Sequence, residues 1–425
     1  MKKSFALFAL LAACMPAEDN QEPNGKQDRP EVNCATVDLA TPSDAAQAVA
    51  DANNAFAVDM YAQVADRAES NQNLFFSPFS ITSAVGMTLA GAEGETEAQM
   101  REVFHVGDDE MEHHLGYGEL HPLVFGKAAD CETTTLNMAN RLFGQTGYPW
   151  LDGFLDVSSL DYGAELEELD FVSDPDGARV HINDWVAHQT EDRIEDLLPS
   201  GALTSATRLV LANAIYFDAN WDQPFEQAMT ANSSFTRGDG STVTTPLMFQ
   251  EIGARSAVVD GIMAVELDYD GGAQSMVVMM PQSTEGQPAS AFDGALIDSI
   301  EDELALAGDV WLGLPRFSFT QDTDLKSVLT DLGMVDAFNE AAANFNGMAD
   351  ASFSESLYIS GAFHKAFISV DEAGTEAAAA TAVVVGTESA PALNFIADRP
   401  FEFYIRDNSS GTILFMGRVQ DPTTN

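Results

Sequence analysis

Few folds can house the stretch that follows the strand-like run 366–370. After Glu372-Ala373 it reads Gly374-Thr375-Glu376, then four alanines (Ala377, Ala378, Ala379, Ala380), Thr381-Ala382, and valines 383–385. So many small side chains build no core, which argues against a buried helix. The alanines alone would suit a surface helix, yet the β-branched residues after them favour extended backbone. A segment this small, apolar and strand-flanked can be exposed in one state and enter a packed sheet in another. Small side chains clear their neighbours there without overpacking. Gly374 and Thr375 supply the hinge, one flexible residue and one small enough to enter first.

The rest of the chain must therefore provide a large sheet. Its 425 residues are 45% hydrophobic, enough for a sizeable core and too apolar for disorder. Length alone suggests two or three domains, but no second linker, repeat or low-complexity break follows residue 43. Helical periodicity runs through 45–67, 80–89 and 178–198, the last with Ile182, Trp185, Val186 and Ile194. Strand-like runs cover 209–217, 275–280, 309–314, 366–370, 401–405 and 412–419. Helices dominate the first half and strands the second, so the fold class is α+β in one large domain. Asp and Glu number 67 against 19 Lys and Arg, a formal net charge of −48. That charge disfavours nucleic acid, anionic bilayers and any polyanionic cofactor, and it fits a salty or extracellular setting.

The N-terminus reads as an export signal over 1–13: Lys2 and Lys3, a short apolar run 5–13, then small residues before Cys14. Leu11-Ala12-Ala13-Cys14 resembles a bacterial lipobox, which implies lipidation of Cys14. Met15, rather than Asp, after the cysteine implies outer-membrane retention; a plain secretory signal is the other reading. Residues 14–48 read as a flexible acidic tether, since the polar tract after Pro16 cannot offset ordering entropy. With Cys14 lipidated, Cys34 and Cys131 remain, an even number in an oxidising compartment. A Cys34–Cys131 bridge is expected on that count, with two free thiols the alternative.

Enzyme signatures are missing: no G-x-S-x-G, P-loop, H-E-x-x-H or C-x-x-C occurs. His113-His114 with His121 and His105 is the one histidine cluster. Adjacent histidines diverge on a helix, and Gly116 and Gly118 make the stretch read as solvated loop rather than a metal site. Asp174-Pro175-Asp176-Gly177 lacks the spaced ligands of a calcium loop and reads as a turn.

Several blocks in order resemble the serpin family over 49–422. Residues 372–381 are similar to the hinge of its inhibitory members, and Asn73-Leu74-Phe75-Phe76-Ser77-Pro78-Phe79-Ser80-Ile81 to its early shutter motif. Leu211-Ala212-Asn213-Ala214-Ile215-Tyr216-Phe217, with Asn220-Trp221 and Pro224-Phe225, resembles the central strand and breach. Leu314-Pro315-Arg316-Phe317, Asp398-Arg399-Pro400-Phe401 and Phe415-Met416-Gly417-Arg418-Val419 match later blocks. The resemblance implies three β-sheets, eight or nine helices and an exposed reactive loop over about 372–398. It also implies a mechanism in which a protease cleaves the loop, forms an acyl-enzyme and is trapped as the loop inserts.

Carried over position by position, Glu372, Gly374, Thr375 and Ala377 to Ala380 form the hinge. Ser80, Ser83, Asn213 and His364 form the shutter, with Trp221 and Glu372 at the breach. Counting from Glu372 puts the reactive bond at Glu388–Ser389, with Thr387–Glu388 and the region of Val385 as alternatives. No Arg or Lys lies between Glu372 and Arg399, so a trypsin-like target is disfavoured. A glutamate-selective serine protease comes first, and an elastase-like or papain-like cysteine protease cutting at the valines second. The resemblance implies a monomer forming a covalent 1:1 complex, with no cofactor and no metal. A non-inhibitory surface lipoprotein on the same fold is the alternative function; proline or bulky charge in the hinge would favour it, and 374–382 holds only Glu376 as a charge and no proline.

Overall fold

Local signals place the first elements. The computed structural model describes residues 41–129, 134–283, 293–350, 357–375 and 393–424, all within one compact unit. Helix α1 (Asp44–Arg67) starts where the Ser43 hydroxyl accepts the Ala46 N–H. The last five residues of the expected tether, 44–48, are thus helical. Strand β1 (Leu74–Phe76) meets α2 (Pro78–Leu89), capped by Ser77 with Pro78 in the first turn. Next come α3 (Glu95–Val103), α4 (Glu110–Ala129), β2 (Thr134–Gln145), α5 (Asp152–Leu160), β3 (Glu167–Leu169) and α6 (Pro175–Gln189). The middle holds β4 (Leu209–Asn220), β5 (Ala231–Thr236), β6 (Thr242–Val259), β7 (Ile262–Asp268), β8 (Gln274–Pro281) and α7 (Gly294–Glu303). Then follow β9 (Ala305–Pro315), β10 (Phe317–Asp324), α8 (Leu325–Leu332), β11 (Ala362–Val370) and β12 (Gly374–Thr375). β13 (Leu393–Ile396), β14 (Phe401–Asp407) and β15 (Ile413–Val419) close the chain.

Two expectations need correction. The histidine-bearing stretch is helix α4, not loop. Gly116 lets that helix close on α1, because a Cβ there would meet the Ala45 carbonyl oxygen at 2.5 Å. Helix α6 stops at Gln189 rather than 198; Glu191 and Asp192 take positive φ values of 49° and 60° and turn the chain away. Ile194, Leu197 and Leu198 are buried nonetheless, so the burial pattern outruns the helix. The three expected sheets are present as two hydrogen-bonded ladders, because two of them share one long strand. The 18-residue β6 pairs with β5, β9 and β7 along its length, fusing what would be two sheets into one of nine strands. Asp174 is a helix cap, its Oδ1 accepting the Gly177 N–H at 2.9 Å.

The other sheet carries the site. Its order is β10-β11-β12-β4-β2-β3, with β11 also paired directly to β4. Leu211, Ile215 and Phe217 of β4 face the main core. Val210, Ala212 and Ala214 face a second cluster with Ile182 and Val186 of α6. Both faces being covered, β4 reads as a continuous apolar run.

Candidate functional site

At the centre of this sheet β4 and β11 part company. From Ala362↔Leu211 to Ala366↔Ile215 they pair directly and in parallel. Four residues further on, β12 lies between them, with Thr375 opposite both Val370 and Ala219, and Gly374 opposite Asn220. The Asp371 carboxylate makes the reversal, accepting the Ala373 N–H at 2.9 Å and the Gly374 N–H at 3.3 Å. Burial pushes that carboxyl up. Only glycine fits at 374, since a Cβ would stand 2.0 Å from the Ala219 carbonyl oxygen.

The turn is fastened from outside. Glu372, 4% exposed, accepts from Arg316 Nε at 2.9 Å, from Arg316 Nη2 and from the Thr230 hydroxyl. Burial works against its charge, but these donors outweigh it and hold the carboxyl below the ordinary glutamate range. Trp221 donates its backbone N–H to Ala373 O at 2.8 Å and its indole N–H to Asp371 O at 3.1 Å. The Phe225 N–H donates to Glu372 O at 2.8 Å.

A second cluster lies about 20 Å down the seam, six residues along β11. His364 and Asn213 face each other across it in register. The Ser77 N–H donates to His364 Nε2 at 3.1 Å, so the imidazole proton sits on Nδ1 and donates to Asn213 Oδ1. Asn213 Nδ2 donates to Asn140 Oδ1 at 2.7 Å and to Ser80 O. Asn140 Nδ2 returns a bond to Ser80 O at 2.9 Å, and the Ser80 hydroxyl donates to Asn140 Oδ1 at 3.2 Å. Every polar group finds a partner along this chain, which lets so much polarity be buried. Burial lowers the His364 pKa to about 3, so it is neutral.

Of the residues singled out in the sequence, Glu372, Gly374, Thr375 and Trp221 meet at the upper end of the seam, and Ser80, Asn213 and His364 at the lower. Ser83 stands apart on α2, facing the Tyr117 hydroxyl. Ala377 to Ala380, Val385, Thr387, Glu388, Ser389, Cys14, Cys34 and Cys131 lie outside the described residues. Sequence reasoning did not single out Asn140, Thr230, Tyr269 or Asp371, and it quoted Arg316 and Ser77 without a role. A lone arginine in Leu-Pro-Arg-Phe, in so acidic a chain, was the available signal. Among the described residues no His, Cys, Asp and Glu group is arranged to hold a metal. The His113 and His114 rings lie 6.0 Å apart between centroids, edge to face at 69°.

Residues 51–422 match the family model for serpins, serine protease inhibitors, and the chain belongs to that family with its fold. Its structure is similar to that of a serpin described as highly specific in the insect Tenebrio molitor. The TM-score is 0.77 at 31% identity, over 89% of this chain and 99% of that one. Antithrombin-III of Mus musculus is 37% identical over 385 residues, 88% of this chain and 82% of the relative. The leukocyte elastase inhibitor of Homo sapiens is 36% identical over 387 residues, 87% and 98% of the two chains.

Proposed function

We propose that this chain is a suicide-substrate inhibitor of a serine endopeptidase, or of a cysteine one, acting through cleavage and insertion of loop 372–398. The register of β12 is the observation that carries this reading. Val370, Thr375 and Ala219 lie in one row, and the direct pairs below, such as Ala366↔Ile215, keep the same offset. A strand continuing from Thr375 therefore enters the seam without any slip. Residues 377, 379 and 381 would face the core side, as Thr375 does, and Glu376 would face outward. Thr381 would arrive between His364 and Asn213, a hydroxyl where their mutual hydrogen bond is broken.

The chemistry follows from a race. The protease nucleophile attacks the Glu388 carbonyl carbon, the peptide bond breaks and Ser389 leaves as the new amine. Freed at one end, the segment from Glu376 onward gains a hydrogen-bonded neighbour on each side and buries its inward side chains. If insertion outpaces water's attack on the acyl bond, the protease is carried off with its site distorted. Each molecule acts once, as a monomer in a covalent 1:1 complex, and turns nothing over. Kinetic trapping holds the uncleaved form.

A glutamate-selective protease fits Glu388 best. Similarity to a leukocyte elastase inhibitor supports an elastase-like enzyme at 383–385 as the second class. The signal over 1–13 and a lipid on Cys14 would place the body outside the cell on the tether. Incubating the purified protein with glutamate-, elastase-, papain- and trypsin-type proteases tests the reading. An SDS-stable complex is expected with the first, releasing a peptide that starts at Ser389, or with the second, releasing one that starts within 384–386. Cleavage by every class without any complex would instead leave the non-inhibitory reading.

A further inference from the structure

Thr375 lies in β12 with its side chain inward and only 2% exposed. Its Oγ1 lies 2.8 Å from the hydroxyl of Tyr269. Tyr269 belongs to the turn between β7 and β8, on the other sheet, and it is fully buried. Its ring stacks on Trp221 at 4.6 Å and 12°, and meets the edge of Phe217 at 4.9 Å and 84°. Trp221 in turn holds Asp371 and Ala373. One aromatic column thus grips the reversal at its backbone and the hinge at its hydroxyl. Among the described residues β12 pairs with β4 at Gly374 and Thr375 and with β11 at Thr375, and the Tyr269 hydroxyl adds a side-chain bond at the residue where the rest of the loop begins.

We infer that Tyr269 is a positioning residue for loop insertion: its hydroxyl anchors Thr375 in the row from which the next residue enters the sheet. This rests on the insertion reading above. Thr375 already occupies the pairing it would keep in the inserted strand, so the bond is present before and after cleavage and nucleates the advance. Without it the hinge withdraws more often, insertion starts later, and more acyl-enzyme is lost to water. A buried hydroxyl is also left without its partner on the side that remains.

Tyr269→Phe keeps the ring and removes only the oxygen. Thr375→Val removes the other half of the pair, and Thr375→Ser keeps it. The full-length protein and these variants would be compared by hydrogen exchange of the Gly374 and Thr375 amides, by melting temperature, and by the number of inhibitor molecules consumed per protease inactivated. Tyr269→Phe and Thr375→Val should each raise hinge exchange about 2- to 12-fold, the range one such hydrogen bond gives, with a comparable rise in molecules lost uninhibited. Thr375→Ser should match the wild type, and the Tyr269→Phe/Thr375→Val pair should be no worse than either single change. Unchanged hinge exchange in Tyr269→Phe overturns the assignment. So does exchange that rises equally along all of β4 and β11, which would mark general loosening. If the exchange pattern holds but the wild type traps no protease, the anchor stands and the inhibitory reading falls.

Discussion

Acid should open the seam through His364. In the closed sheet its Nε2 accepts the Ser77 N–H and its Nδ1–H donates to Asn213. A proton on Nε2 would set one N–H against another. Thr323 lies opposite on β10, Ser77 and Asn213 bond the ring itself, and among the described residues no acid pairs with it to offset the charge. The closed form therefore holds a pKa of about 3, while an opened, hydrated imidazole returns to about 6.5. Because the closed-state value is the lower one, the stabilising contribution is complete above 6.5 and is lost as pH falls from 6.5 toward 3. From pH 7.5 to 5.0 the opening constant of the β4–β11 seam should rise about 30-fold, or ~2 kcal/mol. Amide exchange of 211–215 and 362–366, divided by the intrinsic exchange rate at each pH, measures that constant directly. Salt at about 1 M keeps the general charge term small. A constant that is flat or falls across this range would refute the assigned tautomer and the neutral buried histidine together. His364→Gln should flatten the dependence where the wild type shows it.

Arg316→Leu should destabilise by about 1–3 kcal/mol: it strands a buried Glu372 carboxylate, discounted because the Arg316 side chain is 42% exposed. Adding Glu372→Gln should recover part of the loss, and a melting temperature unmoved by Arg316→Leu would count against the pair. Ala377→Pro should convert inhibitor into substrate, since proline has no N–H for the sheet; trapping as efficient as wild type would mean that 377–380 do not insert. Raising salt from about 0.1 to 1 M shortens the screening length from about 10 to 3 Å. With a net charge of −48, the melting temperature should rise, and a fall would show that attractive pairs dominate.

Much of the architecture was legible where local chemistry agrees with tertiary demand. The helical periodicity over 45–67 and 80–89 announces α1 and α2, and the apolar run 209–217 announces β4. The segment after β11 stood out in composition, with four consecutive alanines beside a strand. Helix α4 was hidden by Gly116, Gly118 and Pro122, each a helix-breaking signal on its own. Packing against α1 and against Tyr162, whose hydroxyl lies 2.7 Å from His114 Nδ1, overrides them. Asn140, Thr230 and Tyr269 were beyond reach for another reason. Each is a single polar residue in a segment of its own, and only the crossing of strands distant in sequence brings it to the seam. The length of β6 likewise gave no hint that one strand would join two sheets.

Strand polarity marks the seam independently of any motif. Across this sheet β10–β11 and β4–β2 are antiparallel, while β11–β4 at the centre and β2–β3 at the edge are parallel. Two parallel neighbours leave room for one chain running the opposite way, and such a chain exchanges one slanted hydrogen-bond ladder for two perpendicular ones, the slightly stronger kind per residue. β12 already runs in that direction against both. The sheet is therefore one strand short of uniform alternation around its centre, and the direction of the missing strand is written in the backbone before any side chain is considered.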